Sequence, residues 1–272
     1  MTAVGSVRAP APVRPAPAGP AASAPGLRSA AVVAGSLLVA LLAWWAVATT
    51  RVLGPDLVDP ITTVATLVER WDVIWFNAQP TLTAAVVGAG ALLVATLVGL
   101  AVVGVCPWLS PWLTSLGVVL GSIPLISATP ALAQVVPRGS ALILVVTVLS
   151  GLVPVAATLG TAAQTAQVGR EDLGALYSAV RLRWWRHVGF WRCIPVLDIG
   201  LRAMLPACFV GAIVAEWSGA AGDRGLGGLM ANALYSYQAP LLWAGILLAT
   251  VIAMLLLGVV ALLMAPLRRV VG

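Results

Sequence analysis

The stretch DLGALYSAVRLRWWRHVGFWRCIPVLDIGLR, Asp172–Arg202, decides how the rest of the chain is read. It holds Arg181, Arg183, Arg186, Arg192 and Arg202, a third of the 15 basic residues, in a protein whose other long segments are apolar. Leu173, Leu176, Tyr177, Val180 and Trp184 recur at spacings of three and four, which predicts an amphipathic helix. Arg181, Arg183 and Arg186 fall on its other side. Set between apolar runs, such a helix either lies in a membrane interface or docks on a partner.

Composition supports the apolar setting. The 272 residues are 61% hydrophobic and 9% charged, with a mean hydropathy of +1.03. Soluble domains carry about 25% charged residues. Most of this surface must therefore face lipid or other apolar helices. The net charge of +6 comes from arginine alone, because the chain has no lysine. In a membrane chain such an excess points to cytoplasmic loops and lipid headgroups, and no water-soluble basic domain is present to bind nucleic acid. Cys106, Cys193 and Cys208 are scattered without a CxxC pair, and His187 is the only histidine. A zinc site is not expected, nor any other metal or cofactor.

Residues 1–28 are rich in Ala and Pro with Arg8, Arg14 and Arg28 and no acid, which reads as a disordered tail. The apolar run over 29–50 is long enough to span. About 19 residues at about 1.5 Å each match a hydrocarbon core of about 30 Å. Ala46-Val47-Ala48 fits a signal-peptide cleavage site loosely, but the spans that follow favour an uncleaved first helix. Five further runs are expected at about Pro80–Val105, Trp112–Gln134, Ala141–Gln164, Pro195–Trp217 and Pro240–Leu267. The fold class is thus an all-α polytopic membrane protein with six transmembrane helices, 51–272 forming the main transmembrane domain. With the N-terminus inside, ten arginines are cytoplasmic (8, 14, 28, 170, 181, 183, 186, 192, 268, 269) against four outside (51, 70, 138, 224). The positive-inside rule then gives N-in and C-in. In the first external segment, 51–79, TVATLVERW is expected as a short surface helix. In the second, 216–238, Gly225-Leu226-Gly227-Gly228 is expected as a backbone turn, and Glu216 as an interfacial acid.

No HExxH, GxSxG or GxxxxGK[ST] occurs, and without lysine there is no ordinary P-loop, so the chain is not expected to be an enzyme or to hydrolyse ATP itself, and any uphill transport would draw on an ion gradient or a separate ATPase. Ion-coupled carriers place ionisable groups in their spans. Here only Asp198 and Arg202 qualify, four residues apart on one helix face. They read as a structural ion pair, with a proton or gating element as the alternative.

That leaves a partner motor. Asp172 to Trp191 resembles the cytoplasmic EAA loop of binding-protein-dependent ABC importer permeases. Asp172 takes the Glu position, Leu173 and Gly174 the two alanines, Ser178 the glycine, Val188 the isoleucine, Phe190 the leucine and Trp191 the proline. The flanks follow in order: Ile194-Pro195, Gly200-Leu201-Arg202, Ala215-Glu216-Trp217 and Gly225-Leu226-Gly227, with Ser122-Ile123-Pro124, Thr129-Pro130-Ala131 and Pro154-Val155-Ala156 upstream. This series is similar to the sulfonate, nitrate and taurine branch, which also includes permeases for thiamine-precursor pyrimidines. The resemblance implies that a coupling loop over 165–194 docks on a pair of ATP-binding subunits. Leu176, Tyr177 and Val180 would anchor it, with Arg181, Arg183 and Arg186 at the rim. It further implies an extracytoplasmic binding protein, a second permease subunit as homo- or heterodimer, and a cytoplasmic (inner) membrane. Asp for Glu, Ser for Gly and Trp for Pro are departures from the family pattern. An ion-coupled carrier or channel without an ATPase is the rival.

Overall fold

A computed structural model describes residues 27–50, 54, 56–167, 185–220 and 224–271, and among these every regular element is helical. One compact unit contains a single described helix, α1 (Leu27–Thr50), apolar over Ala34–Thr50. The other unit holds α2 (Pro60–Glu69), α3 (Trp71–Val105), α4 (Ser110–Gly121), α5 (Leu125–Leu132), α6 (Ser140–Gln167), α7 (Phe190–Trp217), α8 (Leu226–Tyr235) and α9 (Ala239–Val271). A wide π-helical turn, Trp185–Gly189, leads into α7.

Four of these helices, α3, α6, α7 and α9, are long and apolar enough to cross a membrane. Each of α6 and α7 has 28 residues. At about 1.5 Å per residue they reach about 42 Å, the thickness of a bilayer with its headgroups. Tryptophans sit at both ends of the stack, exposed Trp71 and Trp75 at one and exposed Trp108, Trp112 and Trp191 at the other, as in the aromatic belts of membrane proteins.

The core is built from α3, α6 and α7 in close contact. Lipid gives apolar helices no hydrophobic reason to associate, so close packing must hold them, and small residues allow it. Gly88, Gly151 and Gly99 lie against Thr147, Leu92 and Leu159, so α3 and α6 run parallel. Gly200 meets Thr158 and Gly211 meets Ser150, so α7 runs antiparallel to α6. Cys193 Sγ reaches the Ala162 carbonyl at one end, and Gly139 N–H donates to the Ala220 carbonyl (2.8 Å) at the other. A Cβ on Gly211 would stand 3.3 Å from Thr147 Cα and closer still to Ser150. Gly211→Val is therefore expected to cost about 3 kcal/mol by overpacking, read as a lower thermal midpoint in detergent, whereas Val210→Ala on the exposed side should change little.

The expected span over Trp112–Gln134 is not one helix. It is α4 and α5, which meet at 85°. Pro124 is the cause: its ring excludes a helical conformation at Ile123, and it has no N–H to continue the ladder. Thr114, Gly117 and Gly121 of α4 pack along Gly160, Ala156 and Val153, antiparallel to α6. The chain therefore enters α4 at the Gln167 end of the bundle and leaves α5 towards Ser140 at the opposite end, so the pair traverses the bundle as a broken helix.

Two further expectations change. The second span starts at Trp71 instead of Pro80, with Pro80 inside the helix. The Gly225–Gly228 run is not a turn: α8 starts at Leu226 with both later glycines inside it. The short surface helix expected in 51–79 is α2. Asp59 caps it, accepting from Thr62 N (2.9 Å) and Thr62 Oγ1 (2.7 Å), with Pro60 in the first turn. The Thr62 N–H first, then its hydroxyl, hold the Asp59 carboxyl below the usual carboxylate range. A lowered folded value adds stability above the unfolded value, about 3.9, and loses it as pH falls through the folded one. Asp59→Ala should cost about 1 kcal/mol at pH 7. The gap in melting midpoint between Asp59→Ala and wild type should begin to narrow below about pH 3.9 and close as pH falls through the lowered folded value.

Candidate functional site

At the Ser140 end, a buried polar cluster joins α3, α7 and α8. Glu216 in the last turn of α7 is 2% exposed, so the acid expected at the interface is instead enclosed by protein. Its two carboxylate oxygens lie 2.8 Å from the Thr81 hydroxyl of α3, and Oε2 accepts from Gly227 N at 2.9 Å. Thr81 Oγ1 in turn accepts from Leu226 N at 2.9 Å. The first two N–H groups of α8, orphaned in any helix, are thereby satisfied from two other helices. Gly225 precedes them with φ 155, where an added Cβ would lie 2.5 Å from the Glu216 carboxyl carbon. Only glycine fits.

The cluster extends towards solvent. Gly225 N donates to Asn77 Oδ1 (3.2 Å). Pro80 lacks an N–H, which frees the carbonyl of Phe76 four residues earlier, and Arg224 Nη2 donates to that carbonyl at 3.3 Å. The Arg224 guanidinium also stacks on the Phe76 ring, 3.6 Å from its centroid. Arg224 lines a groove of about 590 Å³ between α3 and α6, with Thr83 and Val87 on one wall and Ser140 and Ile143 on the other.

Towards the Gln167 end, a second groove of about 460 Å³ lies between α4 and α6, lined by Ser110, Thr114 and Ser115 on one side and Thr161 and Gln164 on the other. None of its lining residues is charged.

Of the residues singled out in sequence, Asp172, Leu173, Gly174, Leu176, Tyr177, Ser178, Val180 and Arg181 lie outside the described residues. Val188 is half-buried in the π-helical turn. Trp185 of that turn is buried, its ring against Gly104 and Gly189 and edge-on to Phe190. Asp198 is buried and accepts from Arg202 Nε at 3.2 Å. The pair lies within one helix and eases the burial of each charge. Among the described residues no cluster of His, Cys, Asp and Glu could hold a metal.

Sequence reading missed the Glu216 cluster and both grooves. The signal for the first was present: an acid in an apolar run, followed by Gly-Leu-Gly at a distance that lets a helix start fold back on it. The described residues are all-helical, with four helices, or five counting the bent pair, long and apolar enough to span, which is compatible with a multi-pass membrane protein. No family model, curated protein or solved structure matches the chain.

Proposed function

We propose that this chain is the permease subunit of an ABC importer, moving a small nutrient inward on ATP hydrolysed by a separate pair of subunits. The observation that carries the reading is where the segment resembling the coupling loop is hung. Residues 168–184 bridge the ends of α6 and α7, two closely packed antiparallel helices joined there by the Cys193–Ala162 contact. A push on that segment would be delivered to both helices at once. The order of short motifs from Ser122-Ile123-Pro124 to Gly225-Leu226-Gly227 supports the same assignment. Counting α1 and the broken α4–α5 pair with the four long helices gives six crossings, and the arginine distribution favours both termini in the cytoplasm.

The solute is a sulfonate-, nitrate- or taurine-like anion, delivered by a binding protein at the Ser140 end. Arg224 beside its groove supports that class. A thiamine-precursor or other vitamin-like solute is the alternative within the family. The experiment is affinity capture of the tagged full chain from mild-detergent extracts of native membranes. An ATPase bearing GxxxxGK[ST] should co-purify; capture of the chain with no such ATPase, together with uptake that collapses when ion gradients are dissipated, would favour the carrier.

A further inference from the structure

We infer that Arg202 is the point inside the bundle at which an oxyanion solute is held in transit, so that the α7 face around it borders water and not lipid. On the solute's passage the inference rests on the proposed function, and within it selects the anion over a vitamin-like solute without one. The first premise is depth. Arg202 stands 12 residues from Phe190 and 15 from Trp217, about 18 Å and about 22 Å along α7. Gly200, one half-turn away, packs on Thr158 near the middle of α6, which places Arg202 at the same depth. Half a hydrocarbon core is about 15 Å, so the guanidinium does not snorkel to either headgroup layer.

The second premise is exposure. The Arg202 side chain is 36% exposed, against 8% for that of Asp198. Its Nε donates to Asp198 Oδ1 at 3.2 Å, and neither Nη1 nor Nη2 has an acceptor among the described residues. No buried side-chain nitrogen among those residues lacks a partner, so both Nη groups reach the surface of the chain. That surface is otherwise apolar: Ile199 and Ala203 are exposed beside Arg202, Pro206 is half-buried one turn on, and α9 carries no charge from Ala239 to Leu267. A cation with its donors turned to hydrocarbon at this depth is among the costliest placements in a membrane, so something polar meets them.

The third premise is charge complementarity. The chain has nine acids. Glu216 is enclosed at the Ser140 end of α7, Asp198 is buried against its own arginine, and the rest fall in 51–79, 168–184 and 216–238, at or beyond the helix ends. A second copy of the chain therefore brings no accessible carboxylate to this depth. What completes the guanidinium is water, exchanged for an anionic solute. An arginine held at Nε presents its two Nη groups as a parallel pair of donors, the fork that two oxygens of a sulfonate, carboxylate or nitrate fit. Asp198 offsets the charge between transits, and a neutral pair holds an anion weakly enough to release it.

The test is thiol accessibility of the full chain in native membranes opened by freeze–thaw, so that both faces meet the reagent. The background is Cys106→Ser, with Cys193 and Cys208 left in place because they are buried. Ile199→Cys, one turn from Arg202, and a control at the middle of α9, exposed Leu255→Cys, are treated with a methanethiosulfonate reagent. Thiolate forms in water and not in lipid, so Ile199→Cys should react at least about tenfold faster than the control. Methanesulfonate, titrated to saturation, should slow that reaction at least about threefold, and its uncharged analogue dimethyl sulfone should not. The protection should vanish in Asp198→Asn with Arg202→Gln, which removes both charges and leaves neither buried alone. Equal rates at Ile199→Cys and Leu255→Cys would overturn the site, whether lipid or a second permease subunit covers the face. Fast labelling without protection, or equal protection by dimethyl sulfone, would overturn the anion. Protection that survives in the double variant would overturn the assignment to Arg202. None of these outcomes depends on ATPase capture, so failure here and failure of the importer reading are separable.

Discussion

Glu216→Ala is expected to lower the thermal midpoint of the protein in detergent by about 10 °C, the largest stability effect of any single polar substitution in the bundle. Removing the carboxylate strands the Gly227 N–H and leaves the Thr81 hydroxyl only the longer 3.3 Å contact to the Asn77 carbonyl, inside a protein interior where the residue itself is 2% exposed. A buried donor left without a partner costs about 1–3 kcal/mol, and the weakened Thr81 bond and the cavity bring the total to about 3 kcal/mol. Glu216→Gln separates the hydrogen bonds from simple volume. Its carbonyl can still accept from Gly227 N, while its amide can donate to Thr81 Oγ1, whose hydroxyl also lies 3.3 Å from the Asn77 carbonyl. Most of the stability should return. Glu216→Leu, which fills the space without accepting, should behave like Ala. Equal midpoints for Gln and Leu would show that packing, and not the carboxylate, holds α8 in place.

The second large effect concerns the segment outside the described residues. Leu176→Asp with Tyr177→Asp places two carboxylates on the predicted docking face. A charge buried without a partner costs about 3–5 kcal/mol, which is about a hundredfold or more in affinity. Capture of the ATPase should fall by at least about that factor, and uptake with it. On this proposal the chain itself should stay monodisperse in detergent with an unchanged melting midpoint. Full capture and full uptake in the double variant would remove the main support for the importer.

How far the chain could be read in advance differs by element. The long apolar runs behind α6, α7 and α9 announced themselves, because crossing a bilayer demands about 20 apolar residues in a row and leaves few alternatives. The same logic hid the break in the third run: apolar content says nothing of direction, and a proline inside an apolar run does not by itself distinguish a kink from a break. Pro80 shows the converse. Its position suggested a helix start, but Arg224, distant in sequence, supplies a partner for the carbonyl that Pro80 leaves free. The glycines misled for a related reason. In water a Gly225–Gly228 run signals a turn; in this bundle Gly227 lets α8 approach Ile213 and Glu216 closely enough to receive a hydrogen bond.

The sequence by itself determined that the protein is helical and apolar, that no P-loop or metal cluster motif is present, and that its arginines concentrate in and beside one segment. Those properties are sums over residues, or spacings short enough to stay on one helix. Tertiary structure alone decided which polar groups are enclosed and which line the grooves. Glu216 meets Thr81 across 135 residues, and the α4 groove meets α6 across a broken helix. Hydrogen bonding acts over about 3 Å, and only the packed backbone brings such distant positions that close.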